Sequence, residues 1–323
     1  MTAITSNRIA CATQSDILIA VITLKHLRYF EALSRLRHFG KAAEECAVTQ
    51  PALSMKVQEL ERDLGVSLVE RRPGDIRITD VGDEIALRAR AVLTSVRDLA
   101  DYARHSDGLL AGQLVLGAIP SIAPYLLPEA LPIIRRRFPL LELTLRETQT
   151  ATLVETLLAG PLDVVLLSLP IEHPDIVTLA LFDDAFLLAT RKEAKLEHPV
   201  RADAISGEKL LLLEEGHCLR DQALAYCGTV ANKMRGQFGS TSLTTVVQLV
   251  ANGYGVTLLP EMAVPFEIGR DRRIAVHRFA DPQPNRTIGL AWRRSSPRTA
   301  DFQALAAILT KLGRRRATPA TPG

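Results

Sequence analysis

Between residues 24 and 104 the apolar side chains recur at steps of three and four; beyond Gly108 they come in short unbroken runs between helix-like stretches. The first spacing is that of helices packed on one face, the second that of strands buried inside a sheet. Both patterns in that order exclude a single helical bundle or a single barrel. They imply a small helical domain followed by an α/β domain. The 323 residues, 47% of them hydrophobic, suffice for two or three cores.

In the first helix, Leu24–Leu36, the apolar positions are Leu24, Leu27, Phe30, Ala32, Leu33 and Leu36. A short helix over 41–46 follows Gly40, and Val48-Thr49 make a tight connection. The third helix, Gln50–Leu64, turns Leu53, Val57, Leu60 and Leu64 inward. Thr49 suits its N-cap, Pro51 its first turn, and Gly65 its stop. SLVERRPGDIRIT then reads as two short strands around Pro73-Gly74. Short helix, tight turn and a helix with a polar face is a winged helix-turn-helix, which reads DNA with the start of its second helix. Thr49, Gln50, Pro51, Ser54 and Lys56 occupy that start, and Arg71 and Arg72 lie in the wing, placed for phosphate or minor-groove contact. Ten Lys/Arg against nine Asp/Glu over 24–81 neither support nor oppose this, and on pattern alone a helical module that never touches DNA stays open.

From Asp80 to Arg104 a long helix carries Val81, Ile85, Leu87, Val92, Val96, Leu99 and Tyr102 as a stripe that wants a partner helix, either its own domain or a second copy. After Gly108, strands are expected in GQLVLGAIPS, LELTLRE, LDVVLLS, FLLAT, KLLLLEE, VTLLP and RTIGLAWRR. Helices are expected over 124–137, 151–159, the SLTTVVQLVA stretch and 301–312. Alternation of this kind implies parallel sheets in two Rossmann-like subdomains, with a ligand site between them beyond the strand ends. The domain plan is thus an extension (1–22), a winged helix-turn-helix (23–81), a linker helix (82–108), an effector domain (109–313) and a tail (314–323).

The net charge of +3 permits a nucleic-acid partner without requiring one. No apolar run approaches the roughly 20 residues a membrane helix needs, and ILIAVI (17–22) is short even for a signal-peptide core. A cytoplasmic protein is expected, with a flexible extension or an upstream start codon accounting for residues 1–22, and a disordered RRRATPATPG tail. Four cysteines, Cys11, Cys46, Cys218 and Cys227, do not make a disulfide scaffold. Cys11 and Cys46 read as core residues.

GHCLRDQALAYC places Cys218 and Cys227 nine residues apart in a helix-like stretch. Residue types leave three readings open: packing, a metal site with His217, or a redox pair. No Cys-x-x-Cys pair accompanies them, so the metal reading is the poorest. Nine residues turn a helix by about 180° and rise ~13.5 Å. A disulfide needs Cα atoms within ~7 Å, so the pair joins only if part of 219–226 leaves the helix. Cys218, at the expected helix start with His217 before it and Arg220 beyond, is the better placed to react as thiolate.

KAAEECAVTQPALSMKVQELERDLGVSLVER resembles the N-terminal segment of LysR-type transcriptional regulators, and GYGVTLLP resembles a strand entry of their effector domain. The likeness runs from Leu24 to Leu312. Within that family, GHCLRDQALAYC is similar to the two-cysteine segment of the hydrogen-peroxide-sensing OxyR subfamily, and GAIPSIAPYLLP, FGSTSLTT and NRTIGL agree with it. Met55 stands where many members have a basic residue, Ser121 where the peroxide sensors usually have Thr, and the extension before Thr23 is foreign to the pattern.

The resemblance implies a winged helix-turn-helix, a linker helix and an effector domain of two periplasmic-binding-protein-like subdomains. It implies a peroxidatic Cys218, a resolving Cys227 and a reversible disulfide between them. Ser121, Thr150, His217, Arg220 and Asp221 are the expected peroxide pocket. No cofactor and no metal is expected, and the partners are promoter DNA, RNA polymerase, hydrogen peroxide as signal, cytosolic thiol reductants and the chain itself as a dimer of dimers. Two other functions compete: a LysR-type regulator with a small organic effector near Ser121, and a thiol peroxidase, against which the helix-turn-helix argues.

Overall fold

Thr23 opens the first helix with a reciprocal cap: its hydroxyl accepts from the His26 amide, and His26 Nδ1 accepts from the Thr23 amide. The computed structural model containing it describes residues 22–72, 75–104, 108–194, 196, 199–201, 209–216, 218–227, 235–240, 242–269 and 271–317, without the side chains of 71, 72, 75, 101, 104, 227, 235–239, 316 and 317. The extension 1–21, including Cys11, lies outside the described residues, as do the tail residues 318–323.

The elements are α1 (Leu24–Leu36), α2 (Phe39–Glu45), α3 (Gln50–Leu64), β1 (Val69–Arg72), β2 (Asp75–Ile78), α4 (Asp80–Arg104), β3 (Gly112–Ala118), α5 (Ala123–Arg137), β4 (Leu141–Glu147), α6 (Thr150–Ala159), β5 (Val164–Leu169), β6 (Ile176–Arg191), β7 (Leu210–Leu213), α7 (Cys218–Cys227), β8 (Arg235–Ser240), α8 (Leu243–Ala251), β9 (Thr257–Pro260), a 3-10 turn (Glu261–Ala263), α9 (Val264–Glu267), β10 (Ile274–His277), β11 (Asn285–Arg293) and α10 (Thr299–Ala317). They fall into two units, 1–99 and 100–323.

In the first unit Phe30, Leu33, Leu53, Val57, Leu60 and Leu68 are fully buried in one core that joins α1, α2 and α3 to the wing. Helix α2 begins two residues earlier than its sequence suggests, because His38 Nδ1 accepts from the Lys41 amide and caps it. Thr49 takes the N-cap place of α3 but makes no capping hydrogen bond with its side chain, while Gly65, at φ +69°, ends the helix as expected. The Glu61 carboxylate accepts from the amides of Leu68 and Val69 and so fixes the wing to α3. The wing is the antiparallel pair β1–β2, with Val69 opposite Ile78.

The second unit corrects the expected parallel sheets. Its main sheet has seven strands in the order β10-β6-β11-β5-β3-β4, with β9 also on β6. Only β4 and β5 run parallel to β3; β11 is antiparallel to both β5 and β6. Strand β6 has 16 residues, of which FLLAT is only the last part. Residues 176–185 pair with β11, with a bulge at Leu181, and from Phe186 onward β6 pairs with β9 and β10. One strand therefore runs through both subdomains, and residues 184–186 are where it passes between them. The parallel pair β7–β8 carries α7. Helix α10 extends to Ala317, so Arg314, Arg315 and Arg316 are helical, not part of a disordered tail.

Candidate redox site and nucleic-acid interface

Because β3, β4 and β5 are parallel, the residues after them gather at one edge. Backbone bonds close that edge: the Ile119 amide donates to Leu166 and the Thr148 amide to Ala118. Ser121, Thr150 and Ser168 follow or end these strands. Thr150 is the first residue of α6, and its hydroxyl oxygen is buried without a hydrogen-bond partner among the described residues.

Helix α7 lies against this edge through two amide side chains. Gln222 donates to the Ser168 hydroxyl at 2.6 Å, and Gln149 donates to the Glu215 carbonyl at 3.4 Å. Gln222 is four residues after Cys218 and so shares its helical face; its amide oxygen is buried and unpartnered among the described residues. Cys218 is half-buried and packs on the core, with Leu219 and Ala223 buried beside it. Gly216 turns the chain into the helix at φ +90°, and a Cβ there would stand 2.5 Å from the Gln149 amide oxygen. Gly216→Ala is therefore strained by its positive φ, and it displaces the flexible Gln149 side chain that bonds Glu215. Its melting temperature is expected to fall by roughly 2–4 °C, for a loss of about 1–2 kcal/mol. A melting curve that overlays the parent would show that this turn bears no strain.

The expected pocket residues are not all brought together. Ser121 is buried, and its hydroxyl oxygen accepts from Arg286 Nη1 at 2.7 Å while its carbonyl accepts from Nη2 at 2.8 Å. Its own hydroxyl hydrogen is left to donate. Arg220 instead reaches back to β7, donating to the Leu213 carbonyl at 3.0 Å, with Glu215 at 3.9 Å. Asp221 is solvent-exposed. His217 lies outside the described residues, as does the Cys227 side chain. The backbone of α7 is continuous from Cys218 to Cys227, so the two cysteines begin and end one helix.

Sequence reasoning missed Arg286, Asp184, Gln222 and Ser168. A signal existed for two of them. Arg286 shares its strand face with Ile288, Leu290 and Trp292, an inward position for a charge, and Gln222 sits one helical turn beyond Cys218. Arg286 is 2% exposed and Asp184 is 5% exposed, and they face each other across β11 and β6.

In the first unit, Thr49, Gln50 and Pro51 are exposed at the start of α3, as is Met55, while Ser54 and Lys56 are half-buried. Lys56 is 2.5 Å from Glu59, which also bonds His26 at 3.3 Å. The Lys56 bond, seconded by His26, holds the Glu59 carboxyl below the ordinary range. The side chains of Arg71 and Arg72 lie outside the described residues.

Residues 24–83 match the bacterial regulatory helix-turn-helix protein family, lysR type, and residues 107–314 match the LysR substrate binding domain. The chain belongs to the LysR family of transcription regulators. It is a DNA-binding regulator, and it is similar to OxyR proteins of that family. Over 288 residues it is 41% identical to the DNA-binding transcriptional dual regulator OxyR of Escherichia coli K12, covering 88% of this chain and 94% of that one. The full-length structure of an OxyR cysteine variant from Pseudomonas aeruginosa is 36% identical, with a TM-score of 0.73, covering 89% of this chain and 97% of that one. A hydrogen-peroxide-bound OxyR cysteine mutant from Corynebacterium glutamicum is 34% identical, with a TM-score of 0.64, covering 91% of this chain and 93% of that one. As a LysR-family chain, it carries the helix-turn-helix on α2 and α3 and the effector domain on β3 to α10.

Proposed function

We propose that this regulator senses hydrogen peroxide through a reversible disulfide between Cys218 and Cys227. The observation that carries the reading is their placement at opposite ends of one helix, α7, whose start is held to the strand edge bearing Ser121 and Thr150. The Cys218 thiolate attacks one peroxide oxygen; the O–O bond breaks, and its electron pair leaves with the other oxygen as hydroxide, which takes a proton to become water. The Cys227 thiolate then attacks the sulfenic sulfur; the S–S bond forms, the S–O bond breaks, and the departing hydroxide takes the proton that Cys227 gave up to become a second water. A cytosolic dithiol reverses it by exchange, becoming a disulfide itself. Ser121 and Thr150 are the hydroxyls for the peroxide, with His217 beside the thiol. The bond from Arg220 to the Leu213 carbonyl supports a role for it in holding the start of α7.

Thr49, Gln50, Pro51, Ser54 and Lys56 read promoter DNA, with Arg71 and Arg72 on its backbone. The linker helix α4 pairs with a second copy: Ile85 turns to its own core, but Val92, Val96, Leu99 and Tyr102 are exposed, with Leu99 at 68% and Tyr102 at 71%. Oxidation alters the spacing of half-sites and the contact with RNA polymerase, in the cytoplasm and without enzymatic turnover.

Peptide mapping after one equivalent of peroxide tests the reading. A Cys218–Cys227 linked peptide should appear and vanish with dithiothreitol. Cys46 should stay a free thiol, since burial pushes it up, partly opposed by Arg28. Absence of the linked peptide, or linkage through Cys46, refutes the switch.

A further inference from the structure

We infer that Asp184 is a positioning residue for peroxide reduction at Cys218, acting through Arg286 on the Ser121 hydroxyl. The inference rests on the reading of Cys218 as the peroxide-reactive thiol and of Ser121 as a hydroxyl of its peroxide pocket. Asp184 stands where β6 leaves one subdomain for the other, directly across from Arg286 on β11. One carboxylate oxygen accepts from Arg286 Nε at 3.0 Å and lies 3.0 Å from Nη2; the other accepts from the Met262 amide at 3.0 Å. The guanidinium side chain is fully buried and that of Asp184 is 3% exposed. With Nε held by Asp184, the planar fork has one orientation left, and in it Nη1 and Nη2 meet the hydroxyl and carbonyl oxygens of Ser121.

That orientation fixes what Ser121 can do. A hydroxyl oxygen that accepts from Arg286 presents its hydrogen elsewhere, as a donor. When the O–O bond breaks, the departing oxygen carries negative charge, and a donor aimed at it lowers the barrier. The Met262 bond adds a second consequence. Met262 lies in the 3-10 turn after β9, in the other subdomain, so Asp184 ties the aim of Ser121 to the relative placement of the two subdomains. A buried ion pair that only glued the hinge would serve stability alone. The two roles differ in which reaction of Cys218 they affect.

The test compares two reactions of the same thiol in the reduced full-length protein. Oxidation by hydrogen peroxide needs a donor to the departing oxygen; alkylation by monobromobimane does not. Asp184→Asn should slow peroxide oxidation by roughly ten- to a hundredfold while alkylation stays within about twofold. Ser121→Ala should do the same. The double variant should be no slower than Ser121→Ala alone, because one acts through the other. Should Asp184→Asn not fold, Asp184→Glu keeps the charge, moves the carboxylate by one methylene, and should lower the same ratio. Equal slowing of both reactions, an unchanged ratio, or multiplying effects in the double variant would each overturn the assignment. If the parent protein itself is not oxidised at Cys218, the peroxide reading falls, and this inference with it.

Discussion

Cys218→Ser is expected to leave the reduced protein's DNA footprint unchanged and to abolish every response to peroxide. The two halves of that result have separate causes. Residues 49–56 lie in a different unit from α7, and their presentation depends on the core around Phe30, Leu53 and Leu60, which the substitution does not touch. At the half-buried first position of α7, oxygen for sulfur is a small change, and stability should move by less than about 1 kcal/mol. A serine hydroxyl, however, cannot be carried to a sulfenic state, so no electrophilic sulfur forms for Cys227 to attack. Footprints of the parent chain taken with and without peroxide should differ, and those of the variant should both match the reduced parent. A variant footprint that still shifts with peroxide would move the sensing elsewhere. A variant that no longer binds DNA would show that α7 supports the DNA-reading surface even when reduced.

What the sequence made legible was local. The spacing of Leu53, Val57 and Leu60, Pro51 at the start and Gly65 at the stop determine α3 almost residue by residue, because a helix is specified by neighbours three and four positions away. The bounds of α4 and the helical setting of both cysteines follow for the same reason. The start of α2 did not, since a histidine ring nitrogen served as cap where glycine looked like the break. The course of β6 was hidden for another reason. Its first eight residues are mostly half-buried or exposed, and only Phe186–Thr190 are buried without a break, so only FLLAT stood out as a strand. Partners distant in sequence were the least legible: Arg286 meets Asp184 across 102 residues and Ser121 across 165, and no periodicity links such positions. The local segment around Cys218 marked the thiol, whereas the buried Asp184–Arg286–Ser121 contacts came from topology.

Oxidation should unwind α7, and hydrogen exchange should show it as a loss of protection over 219–226 by about a thousandfold or more. The reduced helix places the Cα atoms of Cys218 and Cys227 ~13.5 Å apart, against the ~7 Å a disulfide tolerates, so closure must break hydrogen bonds within those ten residues. The helix does not yield freely. Leu219 and Ala223 are buried, Tyr226 stacks edge-on against Phe279 at 5.1 Å, and Gln222 bonds Ser168. Withdrawing one leucine costs about 1.5–3 kcal/mol and each lost hydrogen bond about 0.5–1.5 kcal/mol, so the bridge forms against a local cost of several kcal/mol. That cost confines the switch to conditions where an oxidant drives it and makes the bridge readily reduced afterwards. It also sets where the change stops: the amides of β3, β5 and α10, which lie in the main core, should keep their protection. If 219–226 stays protected while mapping finds the two cysteines linked, the bond must join two chains, and a non-reducing gel would show the doubled mass. An intrachain bond on an intact helix is the one result that helix geometry forbids.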